Sequence, residues 1–155
     1  MDFRTPRLLH ALALAVLIGA VTPAVAMAQD AEAPPAVTYR KALMQGLRHS
    51  TAAMRTLMGD EVPYTDHVLH QATVINGLAA MMGDVFPDGT AHAESRALAS
   101  VWDSPGDFSE KVGTIQTAAS QLLSAARAND MNGVGEALRA VGGTCRGCHT
   151  DFRAR

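Results

Sequence analysis

The sequence has few cysteines, few aromatic residues and no excess of positive charge. Its 155 residues include two Cys and only seven Phe, Trp and Tyr in total. Two cysteines fall short of a four-ligand structural zinc site. Sparse aromatic residues disfavour β-sheet, because strands are enriched in them. Thirteen Lys and Arg against 15 Asp and Glu exclude a strongly basic nucleic-acid-binding protein.

The residues that are abundant indicate a folded, helical protein. The hydrophobic fraction is 48% and the charged fraction 18%, which excludes a disordered chain. Alanine and methionine are frequent and both favour helices. The length is that of one domain.

The N-terminus has the pattern of a secretory signal peptide. Arg4 and Arg7 precede a short apolar run over residues 11–21, and small residues follow Pro23. We predict a signal peptide over residues 1–28, cleaved after Ala28, with Ala26 as the second choice. A membrane anchor is disfavoured because the run is shorter than the roughly 20 residues that a span needs. The mature chain, residues 29–155, is therefore expected in the periplasm without a membrane span.

Apolar residues spaced by three, four and seven predict four amphipathic helices. They cover about residues 37–58, 64–82, 105–128 and 131–152, after a disordered lead over 29–36. Gly83 is expected to terminate the second helix, with Ser104 as N-cap and Pro105 as first residue of the third. Two connections are short and that over 83–105 is long. The predicted fold is all-α, an antiparallel four-helix bundle with a long crossover between its second and third helices.

Two residue groups are assigned to packing. Phe86 and Trp102 are the only aromatic residues of the crossover and are expected to pack it onto the bundle. Met54, Met58, Met81 and Met82 lie at helical spacing and are expected in the core.

The motif that indicates chemistry is Cys-x-x-Cys-His at Cys145, Cys148 and His149. On a helix these three side chains project from one side. Two thiols can then form thioethers with the two vinyl groups of one porphyrin, while the adjacent imidazole reaches its iron. The motif predicts one covalently bound haem c.

Other interpretations of the cysteine pair are weaker. A redox Cys-x-x-Cys usually opens a helix in a βαβ setting, which an all-helical sequence does not provide. Zinc would need further ligands. A Cys145–Cys148 disulfide in a haem-free interaction bundle remains the remote alternative.

With this motif near the C-terminus of an exported four-helix bundle, the sequence resembles the class II cytochromes c, and most of all cytochrome c′. The resemblance spans about residues 36–155. It includes Tyr39–Lys41 at the start of the first helix, Val101–Trp102 in the crossover and Phe152–Arg153 after the motif.

The resemblance implies roles for particular residues. His149 would be the proximal iron ligand, Arg153 would lie beside the proximal face, one turn along the same helix, and Arg40 would pair with a haem propionate. Phe86 and Trp102 would edge the haem pocket. Homodimers that pair through the first two helices are also implied, while the redox partner protein stays unknown.

Met44, one turn after Arg40, corresponds to the position that covers the distal face of the haem in this family. An apolar residue there leaves the iron five-coordinate and open to NO or CO. A ligating methionine instead gives a six-coordinate, low-spin electron carrier. Since no catalytic grouping is found, we expect a gas-binding or electron-transfer protein rather than an enzyme, with the mainly five-coordinate form as the leading hypothesis.

Overall fold

The computed structural model describes residues 32–155, so the predicted signal peptide over 1–28 lies outside the described residues. Five α-helices follow one another: α1 (Pro35–Met58), α2 (His67–Ala80), α3 (Ser100–Asp103), α4 (Pro105–Arg127) and α5 (Met131–Phe152). Two 3₁₀ turns, Met82–Val85 and Ala93–Ser95, lie in the crossover between α2 and α4. Within residues 32–155 the only β-type pairing is an isolated bridge between Ala97 and Arg153.

The four long helices form an antiparallel four-helix bundle. Each packs against two others, in the cyclic order α1, α2, α4, α5. Short turns connect α1 to α2 and α4 to α5, and the long crossover connects α2 to α4. The predicted fold class is confirmed. No helix of residues 32–155 is both long and apolar enough to cross a lipid bilayer.

The apolar stripes of the four helices meet in one core. Its largest fully buried side chains are Met54, Ile75, Leu122, Val37, Val134 and Val141. Met54 and Met82 are buried as predicted, and Met58 is partly buried against the core. The prediction for Met81 was wrong: it is 38% exposed, and the Tyr39 hydroxyl donates to its sulfur at 3.6 Å.

Helix ends depart from the predicted bounds where tertiary structure decides them. Helix α1 begins at Pro35, inside the predicted disordered lead, because a proline at the first helical position loses no hydrogen bond. Helix α2 begins at His67 rather than Tyr64, since the Tyr64 carbonyl accepts the His67 N–H in a turn. Gly83 does not terminate α2, which ends at Ala80, because the chain tightens there into the first 3₁₀ turn. Pro105 does open α4, although Ser104 makes no side-chain cap.

The crossover is attached to the C-terminal end of α5. The Leu98 N–H donates to the Phe152 carbonyl at 3.0 Å, and the Ala154 N–H donates to the Arg96 carbonyl at 2.8 Å. The Trp102 indole N–H donates to the carbonyls of Phe86 and Pro87, both at 3.2 Å. Phe86 and Trp102 thus pack the crossover against the bundle, as predicted. These contacts place the crossover beside the Cys-x-x-Cys-His motif.

Candidate haem-binding site

A cavity of about 680 Å³ lies between α1, α5 and the crossover. Among the four long helices, the neighbours α1 and α5 have the least extensive contact. Small residues line the gap between them, namely Thr51 and Ala52 on α1 and Gly142 on α5. Because such side chains cannot fill the gap, the bundle keeps an internal space within the roughly 300–1,000 Å³ range of cofactor sites.

Helix α5 brings Cys145, Cys148 and His149 to one wall of this cavity, as their spacing predicted. Cys148 is buried, Cys145 is half-buried and His149 is exposed. Both cysteines are free thiols. Two thiols and an imidazole therefore reach the same space from one helix.

The surroundings keep these three groups uncharged near neutral pH. Burial raises the pKa of the Cys145 thiol and that of the Cys148 thiol. Partial desolvation lowers the pKa of His149, and the positive charges of Arg153 and Arg96 lower it further. A neutral imidazole is the form that binds a metal, so its electrostatic surroundings suit His149 to that role.

Helix α1 forms the facing wall and the aromatic side chains close one end. Met44 and Leu47 line the cavity from α1, which places Met44 opposite the motif helix. The Phe108 ring packs edge-to-face on both Phe86 and Phe152, with centroid distances of 4.8 and 5.3 Å. All three rings line the cavity, so this part of its wall is apolar.

Arg40 lines the same cavity but is engaged with the crossover. Its side chain is 3% exposed, and burial lowers its pKa. Its terminal nitrogens donate four hydrogen bonds: to the Val85 carbonyl (3.2 Å), to the Thr90 hydroxyl and carbonyl (3.1 and 2.9 Å) and to the Ser95 hydroxyl (2.6 Å). Among the five N–H groups of the Arg40 guanidinium, only the Nε–H has no hydrogen-bond partner within residues 32–155. The pairing of Arg40 with a haem propionate stays a prediction, and the structure gives this residue a second role as the anchor of the crossover.

The positions of Arg153 and Trp102 differ from those that the sequence predicted. Arg153 lines the cavity near His149, but it was wrong to place it on the same helix: it follows α5 in extended backbone and pairs with Ala97. The guanidinium carbon of Arg40 lies 5.8 Å from the centre of the Trp102 ring. Trp102 is outside the cavity lining and supports the residues that form it.

Sequence reasoning missed several lining residues. Phe108 and Ile115 belong to the apolar residues that predicted the third helix and received no role at the site, and neither did Arg48, Arg55 and Arg96. The spacing of Lys41, Arg48 and Arg55 by seven residues is a signal that could have placed them on one helix face. Arg96 has no such signal, because the crossover bridge positions it.

These features fit a covalently bound porphyrin. Two neutral thiols and an imidazole share one wall, apolar and aromatic side chains form much of the remaining lining, and six cationic side chains also line the cavity. Haem has two vinyl groups, a flat apolar face and two anionic propionates, and each has a matching set of residues here. Cys145 and Cys148 would form the thioethers, and His149 would bind the iron.

Known proteins are similar to this chain in sequence and in fold. A sequence model of the cytochrome c′ family matches residues 35–153. A cytochrome c′ of Rhodospirillum rubrum is 31% identical over 142 residues, covering 91% of this chain and 95% of that protein. Two solved variants of cytochrome c′ from Alcaligenes xylosoxidans, one a nitric oxide complex and one with carbon monoxide bound, each superpose with a TM-score of 0.72 at 25% identity, covering 77% of this chain and 94% of the other. The chain therefore belongs to the cytochrome c′ family, whose members carry a covalently bound haem c.

Proposed function

We propose that this protein binds a small neutral diatomic ligand, NO or CO, at a mainly five-coordinate haem iron, with one-electron Fe(III)/Fe(II) redox at the same iron. We further propose that it is exported to the periplasm through the N-terminal signal peptide. The observation that carries the gas-binding function is that the cavity lining holds one imidazole, His149 on α5, while Met44 and Leu47, which line it from α1, are apolar. The NO and CO complexes of the Alcaligenes xylosoxidans variants support the same ligand class.

The haem supplies the ligand-binding and redox-active iron, and the chain supplies its surroundings. Cys145 and Cys148 fix the position of the porphyrin, and His149 holds the iron from one side. Met44 and Leu47, which line the cavity from α1, would cover the other side. The apolar side chains of Met44 and Leu47 would offer no polar partner to a charged or strongly hydrated ligand beside them, whereas a neutral diatomic loses little hydration on entering.

A second candidate function is electron transfer through a six-coordinate, low-spin iron with Met44 as sixth ligand. The observation that favours it is the placement of the Met44 thioether on the wall opposite His149, where the side chain is half-buried and uses no other partner among the described residues. A thioether ligand raises the reduction potential of the iron and favours electron transfer over gas binding.

Electronic spectra of the purified holoprotein, made in cells competent in cytochrome c maturation, test these functions. Haem that stays with the protein after denaturation and acid–acetone extraction is expected from the thioethers. The gas-binding function predicts a high-spin ferric spectrum and a ferrous spectrum that changes on addition of CO. A low-spin spectrum that CO leaves unchanged would contradict it and support the Met44-ligated carrier. A colourless preparation would contradict both and leave the Cys145–Cys148 disulfide bundle.

We also propose a homodimer that pairs through α1 and α2. Tyr39 on α1 and Leu69 and Val74 on α2 expose 53%, 40% and 46% of their surface, so both helices present apolar or aromatic side chains to solvent. Sedimentation equilibrium is expected to give twice the monomer mass. Replacing Leu69 and Val74 by serine is expected to give the monomer mass, and a monomeric parent protein would contradict the proposal.

A further inference from the structure

Within residues 32–155, an excess of positive charge is concentrated among the residues that line the cavity. Six basic residues line the cavity, and Glu94 is the one acidic residue among its lining. Five of the six are exposed and form what we call the cationic rim: Lys41, Arg48, Arg55, Arg96 and Arg153. Arg40, the sixth, is buried and bound to the crossover.

The remaining described surface is strongly acidic. Residues 32–155 contain eleven Lys and Arg and thirteen Asp and Glu. Taking away the cavity lining leaves five basic and twelve acidic residues, a net charge of −7, against +5 for the lining. Residues 32–155 are nearly neutral in total, and their excess of positive charge lies at the haem-site cavity.

The charges of the rim are mostly free of internal ion pairs. Among residues 32–155, ion pairs are formed by Lys41 with Glu94 and by Lys111 with Asp151. Arg48, Arg55, Arg96 and Arg153 therefore keep their charge for an external partner. The two propionates of the haem would neutralise at most two positive charges, so the lining stays positive when the cofactor is present.

We propose that the cationic rim is the docking surface for an acidic redox protein that exchanges one electron with the haem iron. This inference rests on the one-electron redox part of the proposed function. Opposite charge on a partner raises the rate of encounter and orients it. Docking at the cavity opening brings the partner's redox centre to the side of the molecule where the haem site opens.

The charge distribution favours a protein over an anionic membrane as the partner. An extended anionic surface meets the acidic surroundings of the rim as well as the rim itself, and like charges repel there. A protein with a compact acidic patch contacts only the rim. The same argument disfavours long nucleic acids.

One-electron oxidation of the ferrous holoprotein tests the rim with two probes of opposite charge. Hexacyanoferrate(III) and tris(1,10-phenanthroline)cobalt(III) each accept one electron as the iron passes from Fe(II) to Fe(III). At an ionic strength of about 10 mM, charges act over a screening length of about 30 Å. The oxidation rate with the anionic probe is expected to be highest there and to fall as salt is added. The cationic probe is expected to show the opposite salt dependence.

Matched variants locate the effect. Arg48→Gln with Arg55→Gln is expected to slow the anionic probe about tenfold at low salt. Arg127→Gln with Arg139→Gln removes the same charge from exposed positions outside the cavity and is expected to change the rate less than about twofold. Equal effects of the two pairs, or an anionic reaction that accelerates with salt, would overturn the proposal. Failure of both probes to oxidise the iron would instead overturn its redox function.

Binding measurements distinguish the type of partner. Titration of ¹⁵N-labelled holoprotein with poly-L-glutamate is expected to shift amide resonances around the rim at low salt. Vesicles of phosphatidylcholine containing phosphatidylglycerol are expected to leave the protein in solution. Binding of the rim to these vesicles, or absence of binding to poly-L-glutamate, would show that an acidic protein is the wrong partner.

Discussion

The guanidinium carbon of Arg40 lies 4.7 Å from the centre of the Phe86 ring, within cation–π distance. The same guanidinium donates four hydrogen bonds to Val85, Thr90 and Ser95. One side chain of α1 thereby holds the crossover in place, and the crossover in turn supplies Phe86, Ser95 and Arg96 to the cavity wall.

Arg40→Met is expected to destabilise the holoprotein by about 3 kcal/mol, because it leaves buried carbonyl and hydroxyl groups without their donor. Urea unfolding measures this effect. Lys41→Met is the neighbouring control, and the unfolding midpoint should hardly change because the Lys41–Glu94 pair is exposed. Equal destabilisation by the two substitutions would mean that the hydrogen bonds of Arg40 do not stabilise the crossover.

His149→Ala is expected to abolish the native iron ligation while the thioethers keep the haem attached, because His149 is the imidazole of the motif. The absorption spectrum of the ferric protein reports the change, and added imidazole is expected to restore it in part. His70→Ala, at an exposed position on α2, serves as the control. If His149→Ala left the spectrum unchanged, the assignment of the proximal ligand would be wrong.

Met44→Ala is expected to keep the ferric iron high-spin and to raise the rate of CO association severalfold, because it removes a side chain from the wall facing His149. Stopped-flow spectroscopy of the ferrous protein measures the rate. Met81→Ala removes an exposed methionine and is expected to alter neither property. A parent protein that is low-spin and becomes high-spin in Met44→Ala would establish the sulfur as sixth ligand.

Cys148→Ala is expected to retain haem through one thioether at Cys145, and Cys145→Ala through one at Cys148. Mass spectrometry after acid–acetone extraction should find the haem mass on each single variant but on none of the Cys145→Ala/Cys148→Ala double variant. Haem retained by the double variant would exclude attachment through these two residues.

The parts of the molecule that the sequence predicted are those set by local spacing. The four long helices follow from apolar residues at helical intervals, and the shared wall of Cys145, Cys148 and His149 follows from steps of three and four on a helix. Long crossovers are predictable as irregular segments, but their path is not.

The unpredicted parts depend on contacts between residues far apart in the chain. Arg40 meets partners 45 to 55 residues away, so no pattern around it indicates the four hydrogen bonds. Met81 has the spacing of a core residue, yet α2 ends at Ala80 and the following 3₁₀ turn leaves Met81 exposed. Arg153 reaches the cavity through the bridge to Ala97, which no helical periodicity describes.

The hydrogen bonds between the crossover and the last residues of the chain also determine how the cavity can open. The segment of residues 96–98 and the end of α5 must separate before that wall can move, which breaks the Leu98–Phe152 and Ala154–Arg96 bonds together. The amide protons of Leu98 and Ala154 become free to exchange with solvent when these bonds break. Their exchange rates are therefore expected to report how often the crossover separates from the end of α5.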